Sequence, residues 1–356
     1  MFYIRTDGNS QIGAGHVMRC LSIAEALRDL GELVLFIIAD EEPVKLIESR
    51  GFGYLVLHTD WRDMEAELQK LLAVISENEI ESLLIDSYQI TEKYMHTLMR
   101  YVKTAYLDDC GETVYPTDML INYNIYAPEI DYKSMYQKKG ITIPKLVLGI
   151  EYVPVRKEFG NIEYRVKELA RDVLITTGGA DMYNATEHIL SKLLEKSDRN
   201  PFLRYRVVSG AYNEHIEKLR NIAKTNNNVY LYENVPDMWN LIKRCDIAIS
   251  AAGSTMYELA TIGVPTVCFY FVENQRQIAK ACEVFAKNAG NYVLSSEQTV
   301  DKIVDYVWEY NHSYCDREIA YEKTQQMELE NGVFRLAEEL KNYGITAKPR
   351  ETWEIS

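Results

Sequence analysis

The sequence lacks the marks of several protein classes. Its 356 residues include no uninterrupted apolar segment that approaches the roughly 18 residues needed to span a bilayer. The amino terminus does not combine a basic region with a cleavable apolar stretch, as a secretory signal would. With only nine prolines and no low-complexity tract, the chain is neither collagen-like nor disordered. We therefore expect a globular, cytoplasmic protein without stable membrane insertion.

Metal-binding cysteine motifs and basic clusters are also missing. The six cysteines form no Cys-x-x-Cys pair and have no histidine at metal-ligand spacing, so reduced structural thiols and no metal site are expected. A formal net charge of −14 argues against a nucleic-acid partner. A phosphorylated ligand would gain nothing from this average charge and would need backbone N–H groups at glycine turns and helix N-termini.

The length suits two α/β domains of on the order of 100–200 residues each. In both halves, short apolar runs alternate with helical patterns, which predicts a parallel, doubly wound sheet in each. Ligand-binding residues are then expected beyond the carboxyl ends of the strands. In the second half a helix is predicted over Gln275–Lys287. The predicted boundaries are an N-terminal domain (1–155), a linker (156–165), a C-terminal domain (166–310) and a helical tail packing back across both (311–356).

A glycine-containing loop, Asp7–His16, joins the first strand to the first helix. Gly13 and Gly15 permit close backbone approach to an anion. Met18 stands where a dinucleotide fingerprint needs its third glycine, so that fingerprint is incomplete. His16 at the helix start could accept a proton as a general base. A capping histidine is the more common role for a lone histidine, but the setting of this one favours the catalytic role.

A second turn, Ser250–Glu258, follows a predicted strand in the second half. Small residues followed by Ser254 and Thr255 predict a phosphate nest and a helix N-cap. Glu258, about one turn into the helix, could accept hydrogen bonds from ribose hydroxyls. The alternative is that Glu258 only compensates the helix dipole.

Further polar positions are predicted at the same sheet edges. Gly178 and Gly179 could present N–H groups to a diphosphate, or form an ordinary strand-to-helix turn. The amides of Asn274-Gln275 suit sugar hydroxyls, although polar helix caps are common. In the first half, Asp86-Ser87-Tyr88 and Asp108-Asp109 end neighbouring strands. Exposed turn acids would explain Asp108 and Asp109 as well, and no spacing specifies a metal.

Taken together, these motifs resemble the PseG family, the UDP-sugar hydrolases of pseudaminic acid biosynthesis, and the spore-coat polysaccharide proteins of the SpsG type. The resemblance covers most of the chain. Some family members carry a histidine where this chain has Ser87, so a second site histidine is not expected. The second half is also similar to MurG-type glycosyltransferases. The motifs that carry the family resemblance are Gly13–Arg19, Asp86–Tyr88, Leu107–Asp109, Asn122–Ala127, Thr177–Asp181, Ala252–Glu258 and Asn274-Gln275.

The resemblance implies a GT-B fold, with two Rossmann-like domains, a cleft between them and a C-terminal helical segment. It implies a UDP-sugar hydrolase in which His16 activates water and inversion at the anomeric carbon releases UDP, with no metal and no cofactor. The implied sugar-side contacts are Tyr88, Asn274 and Gln275. The implied nucleotide contacts are Val235 for uracil, Glu258 for ribose, and Gly178, Gly179, Ser254 and Thr255 for the diphosphate, beside the anion-binding glycines Gly13 and Gly15.

Three other functions stay open at this point. A GT-B glycosyltransferase would use His16 to deprotonate an acceptor hydroxyl instead of water. A non-catalytic nucleotide-sugar binding protein would keep Glu258 and the glycine turns without needing a titrating His16. A sugar-nucleotide epimerase is disfavoured because its acidic catalytic pattern is missing.

Overall fold

The computed structural model describes residues 1–9, 11–160, 162–179, 181–197, 202–210, 213–233, 235 and 237–346. The chain separates into two compact units. The first comprises Met1–Lys157 together with the segment that begins at Asn331, and the second comprises Glu158–Glu330.

The first unit is built on a parallel sheet of seven strands in the order β3-β2-β1-β4-β5-β6-β7. Its central strands are apolar and buried, as expected for a parallel sheet covered on both faces. The strands are β1 (Phe2–Thr6), β2 (Val34–Ile38), β3 (Gly53–Val56), β4 (Ser82–Asp86), β5 (Lys103–Leu107), β6 (Met119–Asn122) and β7 (Lys145–Leu148). The helices between them are α1 (Gly15–Asp29), α2 (Val44–Ser49), α3 (Met64–Glu77), α4 (Glu92–Leu98) and α5 (Tyr132–Lys139).

The second unit repeats this plan with six parallel strands in the order β10-β9-β8-β11-β12-β13. The strands are β8 (Asp172–Thr176), β9 (Arg204–Ser209), β10 (Val229–Glu233), β11 (Ile247–Ala251), β12 (Thr266–Tyr270) and β13 (Ala286–Asn291). The helices are α6 (Ala185–Glu195), α7 (Ile216–Thr225), α8 (Met238–Ile242), α9 (Thr255–Ile262), α10 (Glu273–Ala281), α11 (Ser296–His312) and α12 (Tyr314–Gln325).

Both strand orders reverse direction at one point, between β1 and β4 in the first sheet and between β8 and β11 in the second. At such a reversal the helices that follow the two strands lie on opposite faces, which leaves a crevice at the carboxyl edge where ligands bind. The predicted pair of doubly wound sheets is therefore confirmed, and the two reversals are the places where a site is expected.

The last helix, α13 (Gly332–Thr346), belongs to the first unit and packs on α1. Lys341 Nζ donates to the carbonyl of Leu30 at 2.6 Å, and Arg335 Nε donates to the carbonyl of Glu151 at 2.7 Å. The predicted tail beyond this helix, residues 347–356, lies outside the described residues. In the part of the chain that is described, no helix has the length and apolar character needed to cross a bilayer.

Two local assignments differ from the sequence-based expectations. The helix predicted over Gln275–Lys287 is confirmed as far as Ala281, where α10 ends, and is wrong beyond it, because the chain then forms strand β13 at the sheet edge. This strand has no β-branched or aromatic residue and includes Gly290 at a φ of 103°, so propensity gave no sign of it. Helix α5 was not predicted, although Asp131 caps its start and Gly140 ends it at a φ of 68°.

Candidate active site

The reversal in the first sheet brings a histidine and a carboxylate together. His16 lies in the first turn of α1, and Asp86 is the last residue of β4. His16 Nδ1 is 2.6 Å from Asp86 Oδ1, although the two residues are 70 positions apart in the chain. The Asp86 side chain is fully buried, and 9% of the His16 side-chain surface is exposed. A buried carboxylate therefore fixes the orientation of the imidazole through its Nδ1 atom.

Arg19, one turn along α1 from His16, fixes the position of this acid. Its Nε donates to Asp86 Oδ2 at 2.7 Å, while Nη2 binds Oδ1 of the same carboxylate. Its Nη1 bonds to Asp109 and donates to the hydroxyl of Tyr123 at 2.8 Å. Burial opposes the ionisation of Asp86, but the adjacent Arg19 and His16 outweigh it and hold the pKa of Asp86 well below its usual range. Asp86 is therefore an anion at neutral pH.

The ionised Asp86 defines which nitrogen of His16 carries the proton. An oxygen anion 2.6 Å from Nδ1 requires a hydrogen on that nitrogen. Arg19 Nη2 also lies 2.9 Å from Nδ1, but both nitrogens are donors that share the same carboxylate oxygen. In the neutral ring the lone pair is then on Nε2, to which no described residue hydrogen-bonds. This is the tautomer that a general base needs.

Tyr88 packs against the other side of the imidazole. Its ring centroid lies 4.5 Å from that of His16, with an interplanar angle of 76°. The Tyr88 hydroxyl donates to Asp109 Oδ2 at 2.9 Å, and the side chain keeps about half of its surface exposed. Burial of the hydroxyl and the charge of Asp109 raise the pKa of Tyr88, which keeps it a donor. Tyr88 therefore lies at the surface above His16, oriented by Asp109.

Of the two neighbouring acids after β5, Asp109 bonds to Arg19 and Tyr88, whereas Asp108 is held by a different set of donors. Asp108 is buried, and its carboxylate accepts from the backbone N–H groups of Cys110 and Gly111 and from the hydroxyl of Tyr132. Burial raises the pKa of Asp108 despite these bonds. The interpretation of Asp108 as an exposed turn acid is therefore wrong.

Within the described residues, no group of three His, Cys, Asp or Glu side chains is placed to hold a metal.

The loop before α1 contains both glycines that were predicted to approach an anion, and the backbone N–H of Gly13 is bonded within the loop. Gly13 has a φ of 74°, and its N–H donates to the carbonyl of Asn9 at 2.8 Å. Helix α1 begins at Gly15 without a side-chain cap. A Cβ atom at either glycine would meet no atom within 4 Å, so there is open space beside both.

In the second unit, the two predicted phosphate turns flank the reversal between β8 and β11. Gly178 and Gly179 follow β8, and Ser254 and Thr255 follow β11. Ser254 occupies the N-cap position of α9, but its side chain makes no capping hydrogen bond, so that part of the prediction is wrong. The backbone N–H groups of Met256 and Tyr257 donate instead to the carbonyls of Gly253 and Ser254. The helix dipole still favours an anion at this end of α9.

Helix α6 differs from α9 in this respect. The carboxylate of Asp181 accepts from the backbone N–H groups of Ala185 at 2.8 Å and Thr186 at 3.1 Å. A negative charge already occupies that helix start, so a phosphate would be repelled from it. Asp181 thus satisfies two N–H groups of α6, whereas the Ser254 side chain makes no capping bond at α9.

The remaining predicted residues all lie at the same edge of the second sheet. Glu258 is in the first turn of α9 and is partly buried. Val235 lies between β10 and α8. Gln275 Oε1 accepts from the backbone N–H of Phe271 at 3.0 Å, so this side chain also acts as a cap. Asn274 is the second residue of α10, and its side chain lies outside the described residues.

The predicted residues thus form two groups, with His16, Tyr88, Gly13 and Gly15 in the first unit and the others in the second. Sequence reasoning placed Asp86 and Asp109 at the ligand edge but did not include them, or Arg19, among the site residues. Two signals were available for them. Asp86 and Asp109 belong to motifs that carry the family resemblance, and Arg19 lies one helical turn from His16, on the same helix face.

The turn after β8 is held by a close backbone contact. A Cβ atom on Gly210 would lie 2.3 Å from the carbonyl oxygen of Gly179. We expect Gly210→Ala to lower the free energy of unfolding by about 1–3 kcal/mol, which corresponds to a thermal midpoint several degrees lower. Gly253→Ala is the matched control, because its Cβ meets nothing within 4 Å. Equal midpoints for both variants, measured by calorimetry, would contradict this packing.

Comparisons with known proteins support both the fold and the resemblance. Residues 173–339 match the family model of the glycosyltransferase family 28 C-terminal domain. The chain is 29% identical to the uncharacterized protein MJ1062 of Methanocaldococcus jannaschii, over 77% of this chain and 56% of that protein. It is 26% identical to UDP-2,4-diacetamido-2,4,6-trideoxy-beta-L-altropyranose hydrolase of Campylobacter jejuni, over 77% of this chain and 93% of the relative. It is also 26% identical to spore coat polysaccharide biosynthesis protein SpsG of Bacillus subtilis, over 78% and 79%.

Solved structures with the same architecture cover nearly the whole chain. MurG of Acinetobacter baumannii aligns with a TM-score of 0.64 at 12% identity, over 96% of this chain and 99% of that one. A UDP-GlcNAc 2-epimerase of Neisseria meningitidis aligns with a TM-score of 0.63 at 12% identity, over 98% and 100%. The chain therefore has the GT-B fold. Its homologues include the PseG and SpsG proteins, which confirms the resemblance predicted from its motifs.

Proposed function

We propose that the protein hydrolyses a UDP-sugar at the anomeric carbon and releases the free sugar and UDP, with His16 as the base that activates water. The observation that carries this proposal is the 2.6 Å contact between His16 Nδ1 and the buried carboxylate of Asp86. It makes Nε2 the basic nitrogen of the ring. The relative in Campylobacter jejuni supports a UDP-2,4-diacetamido-2,4,6-trideoxyhexose as the substrate, in nonulosonic acid or surface polysaccharide biosynthesis.

The proposed step is an inverting displacement. Water attacks the anomeric carbon while His16 Nε2 takes its proton, and the bond from that carbon to the phosphate oxygen breaks. The electron pair of that bond leaves on UDP, whose diphosphate is already a stable anion, so a strong general acid is unnecessary. Asp86 stabilises the imidazolium that forms, as the acid of a Ser-His-Asp triad does. A positioned base of this kind contributes about 10²–10⁴-fold in rate.

The nucleotide would be held by residues of the second unit. The positive end of the α9 dipole, where the Ser254 side chain makes no capping bond, and the open space beside Gly178 and Gly253 suit a diphosphate. Glu258, in the first turn of α9, would accept hydrogen bonds from the ribose hydroxyls. Tyr88 of the first unit would contact the sugar.

The test is incubation with a panel of UDP-sugars in ¹⁸O-labelled water. Label in the free sugar supports cleavage between the anomeric carbon and oxygen, as proposed. Label in UDP would mean attack on phosphorus and would overturn the mechanism. UDP binding without turnover of any UDP-sugar would instead favour a non-catalytic nucleotide-sugar binding protein.

A glycosyltransferase is the second candidate, because residues 173–339 match a glycosyltransferase domain model. In that reaction His16 would deprotonate an acceptor hydroxyl, and the nucleotide contacts would be the same. Formation of free sugar and UDP from the donor alone favours hydrolysis. Strict dependence on a carbohydrate or lipid acceptor would decide for transfer.

The proposed ribose contact makes its own prediction. Replacing Glu258 by glutamine is expected to raise the dissociation constant of UDP about 10- to 100-fold, because a hydrogen bond to a charged group contributes about 1.5–3 kcal/mol. Isothermal titration calorimetry measures this directly. Glu217→Gln is the matched control, since Glu217 is also a first-turn acid but lies on α7, away from the reversal. Unchanged UDP affinity in the Glu258 variant would remove this residue from the nucleotide site.

A further inference from the structure

An aromatic stack joins two loops at the ligand edge of the second sheet. Tyr183, in the loop after β8, stacks on Phe271, in the loop after β12, with ring centroids 5.2 Å apart and an interplanar angle of 26°. Strand β11 lies between β8 and β12 in the sheet. The stack therefore bridges two loops on either side of the turn that follows β11.

The inner ring of this stack is anchored. Phe271 contacts the buried rings of Phe269 and Tyr292 at centroid distances of 5.3 and 5.7 Å. Gln275 accepts a hydrogen bond from its backbone N–H. Because these contacts come from β12, from the residue that follows β13 and from α10, Phe271 has little freedom to move. It presents a fixed support on which Tyr183 lies.

The outer surface of the stack is apolar and accessible. Tyr183 keeps 41% of its surface exposed, and the neighbouring side chains of Met182 and Val272 are 74% and 43% exposed. Single exposed apolar side chains are common, but exposed apolar residues that directly adjoin both members of a packed aromatic pair in the chain are typical of a binding surface. Nothing in the catalytic step proposed above uses these residues.

The position of the surface indicates what it binds. Tyr183 follows the Gly178-Gly179 turn in the same loop, and Val272 directly precedes α10, which carries Asn274 and Gln275. The apolar surface is therefore made of two loops, one of which also carries the proposed diphosphate contacts, while the other leads into the helix with the proposed sugar contacts. We propose that Tyr183 and Phe271 form the site for a methyl group on the sugar of the UDP-sugar substrate, an inference that rests on the proposed function.

The chemistry of the surface favours a methyl group over a hydroxyl. An aromatic face that covers a hydroxyl removes it from water without offering a strong hydrogen bond, whereas a methyl group gains from leaving water. The methyl can belong to an N-acetyl group or to C6 of a 6-deoxysugar. One methyl or methylene in an apolar pocket gives about 10- to 200-fold discrimination.

The test measures binding in the His16→Asn variant, because its lower kcat limits the amount of sugar nucleotide consumed during a titration. Dissociation constants are determined by calorimetry for UDP, UDP-glucose, UDP-N-acetylglucosamine and UDP-6-deoxyglucose. We expect at least one of the last two to bind about 10-fold or more tightly than UDP-glucose. The ligand that shows the preference identifies whether the methyl of the N-acetyl group or that of C6 is recognised.

Adding Tyr183→Ala is expected to reduce that preference about 10-fold and to leave the affinity for UDP unchanged. Tyr183→Phe keeps the ring and is expected to keep the preference. Phe202→Ala is the matched control, because Phe202 is 81% exposed but precedes β9, at the opposite edge of the sheet.

The outcomes separate this inference from the proposed function. A preference that is absent, or that survives Tyr183→Ala, overturns the inference while UDP binding and wild-type hydrolysis stand. A preference that depends on Tyr183 supports the inference even if the wild-type protein hydrolyses none of the sugars. Absence of UDP binding in every form would overturn both.

Discussion

Replacing His16 by asparagine is expected to lower kcat for UDP-sugar hydrolysis by about 10²–10⁴-fold, the contribution of one general base. The asparagine amide can still donate to Asp86, as Nδ1 of the imidazole does. It offers no basic nitrogen in the position of Nε2. The variant therefore removes the proton acceptor and preserves the buried hydrogen bond, so we expect it to fold and to lose rate through the missing base. Single-turnover kinetics with the best UDP-sugar of the panel measures the effect.

UDP affinity serves as the internal reference for this variant. Since the proposed nucleotide contacts belong to the second unit, the dissociation constant of UDP is expected to be the same in His16→Asn and in the wild type. His96→Asn is the matched control, because His96 is an exposed histidine of the same unit on α4. A kcat for His16→Asn within about twofold of the wild-type value would remove His16 from the mechanism, because a base contributes far more.

Replacing Asp86 by asparagine is expected to reduce kcat by about 10³–10⁴-fold, similar to the loss when the acid of a Ser-His-Asp triad becomes an amide. The amide can offer its carbonyl or its N–H group to His16, so the tautomer with a basic Nε2 is no longer enforced. The imidazolium that forms during the reaction also loses its counter-charge. The effect is expected in kcat, while UDP affinity is unchanged.

The same substitution is expected to cost stability. Asp86 is fully buried and forms an ion pair with Arg19. After the substitution, Asp109 would be the one remaining acid of these two that pairs with Arg19. Breaking a buried ion pair from one side costs about 3–5 kcal/mol, so urea unfolding is measured beside the kinetics, under conditions in which the variant is folded. Asp131→Asn is the control, because asparagine caps a helix as well as aspartate does and Asp131 caps α5. A folded Asp86→Asn variant with wild-type kcat would contradict the role given to this acid.

Most of the secondary structure could be predicted because its signals are local. Hydrophobic periodicity predicts helices near Val44–Ser49 and about Met64–Glu77, and these are the bounds of α2 and α3. The apolar runs predict strands over Phe2–Thr6 and Leu83–Asp86, which differ from β1 and β4 by at most one residue. Strand β13 could not be predicted, since its pairing with β12 comes from position at the sheet edge and not from the residues Ala286–Asn291.

The candidate site shows the same division. His16 and the glycine turns were identified from the sequence, because the passage from a strand through small residues into a helix is read within a few neighbouring positions. The roles of Asp86 and Asp109 could not be identified in this way, because their bonds to Arg19 span 67 and 90 residues of the chain. Whether two distant strand ends meet depends on the strand order, which local patterns do not encode.

By itself, the sequence determined that the chain forms two doubly wound α/β sheets and which segments end at their ligand edges, since both follow from local periodicity and turn chemistry. Only the tertiary structure decided that Asp108 is buried against Tyr132 while its neighbour Asp109 bonds to Arg19 and Tyr88. The reason is that a carboxylate takes its role from the donors that surround it, and these come from α1, α5 and the loop after β4 only once the sheet has assembled.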